Sequence, residues 1–355
     1  VGFFFGISST VQGQGSQADS IQVLQLARQS LSLAYSNSDS AWAITEELEA
    51  LARKTGNPAH LSRAYNIYGV ISDIRGQADS AVAYYRKGLR YAGQGENERE
   101  NLILKAQFEN NLGLIYWNQA DYPKATEYYL QSLAKFRRVE GAELGVVNTL
   151  SNLAVIYQER GNRIKAQEYL LLAMCQREAM GDTAGIGISY TNLALFHLDE
   201  GIMDSVAWYA RRALRIKKDL ADEFGIGINN LHLGSYYLAQ SFYDSAYSAF
   251  SAAEQRFAAL NNPKRLAVAL NGLTAVALAR NEADRAIALS ERALEHAREA
   301  EALDVEAEAL FLQGRALSKQ GRAESAYAVF LEARDLEREI FSLKSEETIN
   351  EMTVR

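Results

Sequence analysis

The 355-residue chain has one cysteine, four histidines and three prolines. A single cysteine, Cys175, excludes an intrachain disulfide framework and any multi-cysteine metal site. His60, His197, His232 and His296 stand far apart from one another and from the cysteine, so metal-ligand spacing is missing too. Scarce proline leaves little to interrupt helices, and long helices are the expected element. Basic charge is also short: 37 Lys and Arg stand against 44 Asp and Glu, a net charge of −7. A nucleic-acid partner calls for a basic excess and is not expected. Beyond the first few residues no apolar run approaches the roughly 18 needed to span a bilayer. No nucleophile with its base and no cofactor-binding motif is found. A non-enzymatic protein without cofactor or metal is expected.

What the chain does have is a period. A small residue, usually after Asp-Ser or a similar pair, recurs at Ala41, Ala81, Ala125, Ala166, Val206, Ala246, Ala286 and Ala326, at intervals of 40, 44, 41, 40, 40, 40 and 40. The one long interval holds Gly93–Glu100, a polar stretch that reads as a loop insertion. Twelve residues before each anchor, from the second onward, stand Gly69, Gly113, Ala154, Ala194, Gly234, Thr274 and Gly314. Seven residues after each of the same anchors stand Gly88, Ser132, Ala173, Ala213, Ala253, Ala293 and Ala333. Small side chains there let two helix axes approach, while Leu112, Tyr116, Leu153, Tyr157, Leu193, Leu233 and Tyr237 supply a large apolar stripe at helical spacing. Segments 119–121 and 160–162 are the expected turns. In the first repeat Gln29 takes the place of the small residue, as suits a cap.

Leu112-Gly113…Tyr116…Ala125…Tyr129…Ser132 and Leu153-Ala154…Tyr157…Ala166…Leu170…Ala173 resemble tetratricopeptide repeats. The pattern runs from Asp19 to about Phe341 as eight helix pairs. It lacks the family's repeat-terminal proline, and its period near 40 is similar to the long-helix variety of kinesin light chains and many bacterial regulatory proteins. The resemblance implies an all-α, right-handed superhelix of about eight helix-turn-helix repeats, with the first helix of each pair lining a concave groove. Residues 16–341 are assigned to this array. Residues 1–15 read as the remnant of a signal peptide, an apolar core at Phe3–Phe5 with cleavage expected after Gly13, and a linker. Residues 342–355 read as a helical extension. An exported, periplasmic or cell-envelope location is expected, or a cytoplasmic one if the first segment is only a short apolar tag.

Several features imitate chemistry. Gly185-Ile-Gly187 and Gly225-Ile-Gly227 lie one repeat apart, follow helices rather than strands and lack a third glycine, so they read as helix starts and not phosphate loops. His197 stands at the packing position of Tyr116 and Tyr157. Cys175 is expected to be a buried thiol. Arg211–Lys218 is the densest basic run, with Arg211, Arg215 and Lys218 on one helix face, and is expected to be solvated rather than a docking patch for an acidic partner.

The candidate site is a stripe 18, 14, 11 and 7 residues before each anchor. It reads Gln107, Asn111, Leu114, Asn118; Asn148, Asn152, Val155, Glu159; and Ile188, Asn192, Leu195, Asp199, with Asn110, Ser151 and Thr191 beside it. An amide donates to a carbonyl and accepts from an N–H at once, so an asparagine ladder suits the backbone of an extended peptide. The resemblance to kinesin light chains implies the same role for Asn111, Asn152 and Asn192. The alternative is that these asparagines bond neighbouring helices and fix repeat geometry. Glu159 and Asp199 stand where carboxylate-clamp arrays carry Lys and Arg, so a neutral or basic segment is the expected partner. The function expected is a protein-interaction scaffold holding a peptide in the groove. The alternative is the extracytoplasmic sensory domain of a signalling protein, with a membrane-anchored output part beyond Arg355.

Overall fold

A computed structural model describes residues 17–34, 37–119 and 121–353, with 343–353 described by their backbone alone. The expected signal remnant and its cleavage site lie outside the described residues. Among those residues there are sixteen α-helices and no strand: α1 Gln17–Leu33, α2 Ser38–Thr55, α3 Pro58–Ile74, α4 Ala78–Tyr91, α5 Glu98–Asn118, α6 Tyr122–Phe136, α7 Glu143–Glu159, α8 Arg163–Ala179, α9 Thr183–Asp199, α10 Met203–Asp219, α11 Glu223–Ala239, α12 Tyr243–Ala259, α13 Pro263–Ala279, α14 Ala283–Glu299, α15 Leu303–Lys319 and α16 Ala323–Thr353. None is long and apolar enough to cross a membrane.

The 40-residue period is two equal halves. From α7 to α15 each helix has 17 residues and a three-residue turn joins it to the next. The middle residue of each turn has positive φ: Gly161, Gly181, Gly201, Ala221, Ser241, Asn261, Asn281, Glu301 and Gly321. A left-handed residue is what ends a helix in one step and frees the chain to reverse. The residue after it often caps the next helix. Asn162, Asp182, Asp222 and Asn262 each accept from the N–H three residues on, satisfying a donor that the first turn would leave unpaired.

The 44-residue interval is not filled by a loop alone. The connection 92–97 is longer than the three-residue turns, α4 has 14 residues, and α5 has 21 where its counterparts have 17. Asn97 caps the N–H of Glu100, and Glu98 and Glu100 lie in the first turn. Cap and acidic side chains favour an extra turn of helix over loop.

The chain forms two compact units, with the boundary between Gln176 and Arg177 inside α8. Within the first, α1, α3, α5 and α7 form a row in which each touches the next. The second helix of a pair touches its own partner and the helix that follows, as α4 touches α3 and α5. The second unit repeats this with α9, α11, α13 and α15 in the row. Among the described residues α2, α4 and α6 do not touch one another in the first unit, nor do α10, α12, α14 and α16 in the second. The first helices therefore pack more closely than the second, and each unit curves with its first helices on the inner side.

The small-residue register is the core register. Ala41, Ala81, Ala125, Ala166, Val206, Ala246 and Ala286 are fully buried and Ala326 nearly so; Ala154, Ala194 and Thr274 are also fully enclosed. A Cβ on Gly113 would come within 2.8 Å of the Tyr129 ring, so a side chain there would push the pair apart. In the first repeat the register differs by one from the sequence reading. Gln29 is exposed and Ser30 is buried, its hydroxyl donating to Ala41 O at 2.7 Å.

Candidate functional site

The stripe identified in the sequence falls on the first helices of the pairs. In the first unit, Asn118 and Glu159 are exposed, Val155 is 41% exposed, and Gln107, Asn110, Asn148 and Asn152 are half-buried. Asn111 is buried, and its Nδ2 donates to Asn66 Oδ1 at 2.9 Å, linking α5 to α3. Asn152 Nδ2 donates to Asn110 Oδ1 at 3.1 Å, linking α7 to α5, and Thr149 Oγ1 lies 3.3 Å from the same oxygen. A side-chain amide inside a helix interface must be paired because leaving it unmade costs more than the bond returns.

The second unit has the same kind of brace with different residues. Asn229 Nδ2 donates to Thr191 Oγ1 at 2.9 Å between α11 and α9. Asn271 Nδ2 donates to Val305 O and Glu308 Oε2, both at 3.2 Å, between α13 and α15. Asn66, Asn110, Thr191 and Asn271 all stand 15 residues before their anchors. That position, one residue from the stripe read as the ladder, is the hub of the bracing. Its polar character in repeat after repeat was visible in the sequence, whereas the partners Asn229 and Glu308 were not, because they come from other positions of the next repeat.

Asn192 has a different setting. It is half-buried on α9, and among the described residues it makes no hydrogen bond. One turn to either side, Ile188 and Leu195 are 42% and 45% exposed, and Asp199 at the end of the helix is exposed. One repeat later the position of Asn192 is taken by His232, which is buried with its Nδ1 unpaired. Burial, with Arg265 nearby, pushes this imidazole down to about 4, so it is neutral at physiological pH. In the second unit α9 thus offers one amide that is unpaired among the described residues, between two apolar side chains; in the first unit the amides Asn111 and Asn152 are already engaged.

Residues 104–174 match the tetratricopeptide repeat family. Those residues, from α5 into α8, are of the tetratricopeptide type. No curated protein matches the chain. Among solved structures, aspartyl phosphate phosphatase F from Bacillus subtilis is similar at 13% identity and TM-score 0.65, over 91% of this chain and 84% of that one. A STAND protein with a tetratricopeptide repeat sensor from Pyrococcus horikoshii is 14% identical, TM-score 0.66, over 94% of this chain and 55% of that one. NprR in complex with its cognate peptide NprX is 13% identical, TM-score 0.57, over 91% and 98%. At these identities the likeness is one of fold.

The repeat register explains the features that imitated chemistry. Tyr116 stacks on Tyr128, and Tyr157 on Tyr169, with centroids 5.4 Å apart in both pairs. His197 stacks on Tyr209 at 5.4 Å, so it is a packing residue in the tyrosine position. The paired glycines lie in the first turns of α9 and α11. A Cβ on Gly185 would lie 2.8 Å from Arg177 Cδ, and one on Gly225 would lie 2.7 Å from Lys217 Cδ. They make room for the capping carboxylates of Asp182 and Asp222 and for two buried cations. Arg177 donates to Gly185 O and Ser189 Oγ at 2.9 and 2.8 Å, and Lys217 pairs with Asp222 at 2.7 Å.

Cys175 departs from expectation, being exposed rather than buried. It lies two residues beyond Ala173, which is buried, and two residues turn a helix by about 200°, to the other face. No group of three His, Cys, Asp or Glu among the described residues is placed to hold a metal ion.

Proposed function

We propose that this chain is a non-enzymatic interaction scaffold, and that the inner face of its first helices holds an extended, neutral or basic peptide segment of another protein. The observation that carries the reading is Asn192, an amide with no hydrogen-bond partner among the described residues, between exposed Ile188 and Leu195. Its donor and acceptor suit one residue of an extended backbone, and the apolar pair suits that residue's neighbours. Asp199 is the exposed charge of the stripe in α9, beside Asn192, which is why a basic or neutral ligand fits better than an acidic one. The neighbour NprR, solved with a cognate peptide, supports a peptide ligand for this architecture.

The test is selection from a displayed random peptide library on the full chain, followed by titration of a selected peptide. Selected sequences are expected to be neutral or basic. Asn192→Ala should weaken binding about tenfold, the equivalent of a buried amide contact near 1.4 kcal/mol, with the melting curve unchanged. Binders indifferent to Asn192, Leu195 and Asp199 would overturn the assignment.

A second reading, a sensory domain of an exported signalling protein, is favoured by one observation: the neighbour from Pyrococcus horikoshii carries its tetratricopeptide sensor within a longer signalling chain. Under this reading the mature protein begins near Gln14 outside the cytoplasm. N-terminal sequencing of the product from cell fractions tests it, and an uncleaved cytosolic product would remove it.

A further inference from the structure

We propose that the solvent-facing side of α10 is a docking surface for an acidic protein segment, separate from the inner face of the first helices. Val206, Ala210, Ala213 and Lys217 are the buried side of this helix. On the other side Trp208 is 46% exposed, and Arg211, Arg212, Arg215 and Lys218 are all exposed. At 1.5 Å per residue these side chains span about 15 Å along one helix face.

The cations are not neutralised from within. Among the described residues none of Arg211, Arg212, Arg215 and Lys218 forms an ion pair. The arginines of α14, a second helix in the same unit, do: Arg285 with Glu282, Arg292 with Glu254, and Arg298 with both Glu306 and Glu332. Four unpaired cations on one face, in a chain of net charge −7, form a local field opposite in sign to that of the whole.

Two of them are also held in place. The Arg212 guanidinium lies 3.5 Å from the centroid of the Trp208 ring. Arg211 donates to Tyr237 Oη at 3.3 Å and lies 5.8 Å from the Tyr236 ring. These contacts hold the guanidinium groups while leaving further N–H groups for carboxylates, so less side-chain freedom is lost on binding. The half-exposed tryptophan beside them is an apolar anchor of the kind that dominates small interfaces. Charge complementarity therefore selects the occupant: a protein segment with carboxylates at helical three- and four-residue spacing and one large apolar residue a turn away.

The probe is a labelled 16-residue helical peptide carrying one phenylalanine and glutamates three, seven and ten residues after it, titrated against the full chain by anisotropy. Saturable binding is expected at 50 mM salt, weakening severalfold at 300 mM. Arg211→Glu/Arg215→Glu/Lys218→Glu should abolish it, and Trp208→Ala should reduce it at least threefold. Arg285→Glu/Arg292→Glu/Arg298→Glu, which changes net charge equally, should leave it within twofold. If the α10 triple variant does not fold, Trp208→Ala and Arg215→Ala carry the same test. No saturable binding by the unaltered chain, equal loss in both triple variants, or tighter binding to phosphatidylglycerol vesicles or a 20-nucleotide RNA would each overturn the proposal.

Discussion

Asn111 and Asn192 occupy the same position in two repeats, yet their replacement should have opposite consequences. Asn111 is 5% exposed and donates at 2.9 Å to Asn66, itself 5% exposed. Asn111→Ala removes the bond and leaves the Asn66 carbonyl oxygen enclosed without a donor. The bond contributes about 1 kcal/mol, and an orphaned buried acceptor costs about 1–3 kcal/mol, so a loss near 2 kcal/mol is expected. Asn66→Ala should cost a similar amount. The double variant should cost less than the sum, because with both amides gone nothing is left unpaired, and a coupling of about 1 kcal/mol is expected. Asn192 has no bond to lose, and Asn192→Ala should change stability by no more than about 0.5 kcal/mol. Urea unfolding followed by circular dichroism measures all four variants against the parent. The reasoning is wrong if Asn192→Ala destabilises as much as Asn111→Ala, or if the Asn66 and Asn111 effects add without coupling.

Acid should act through His232. Held at about 4 against the ordinary 6.5, it binds fewer protons folded than unfolded between those values. Its contribution is therefore full above about pH 6.5 and lost as pH falls toward 4, amounting to about 3 kcal/mol; the difference in unfolding free energy between the parent and His232→Gln should shrink by most of that between pH 7 and 4.5. Ala213→Leu should overpack the α9–α10 crossing, where Ala213 is fully buried, and cost about 1–3 kcal/mol; an unchanged unfolding midpoint would mean the register is misassigned. At the turns, Glu301 has φ 50, a conformation costing a side-chain-bearing residue about 1 kcal/mol. Glu301→Gly should raise the melting temperature, and a lowered one would show that unfolded-chain entropy outweighs the relief.

Local spacing already dictated the helices and their pairing and, outside the first repeat, their register. Small residues 12 before and 7 after each anchor can meet only if two helices of fixed rise turn back on each other, and the anchors are buried accordingly. His197 was legible for the same reason, since its partner Tyr209 lies twelve residues on in the same repeat. What tertiary structure alone decided is what each inner side chain meets in the next repeat. Asn111 finds Asn66, 45 residues away, and is engaged. Asn192, identical in type and position, finds no such partner, and His232 in the following repeat is enclosed. Likewise, the basic run of α10 is exposed as expected, but the sequence did not show that the arginines of α14 would instead reach Glu254 and Glu332, 38 and 34 residues distant. Hydrogen bonds and ion pairs require contact within about 3 Å. Residues tens of positions apart are brought to that distance by the stacking of whole repeats, which a repeated pattern specifies only on average and each pair of side chains settles for itself.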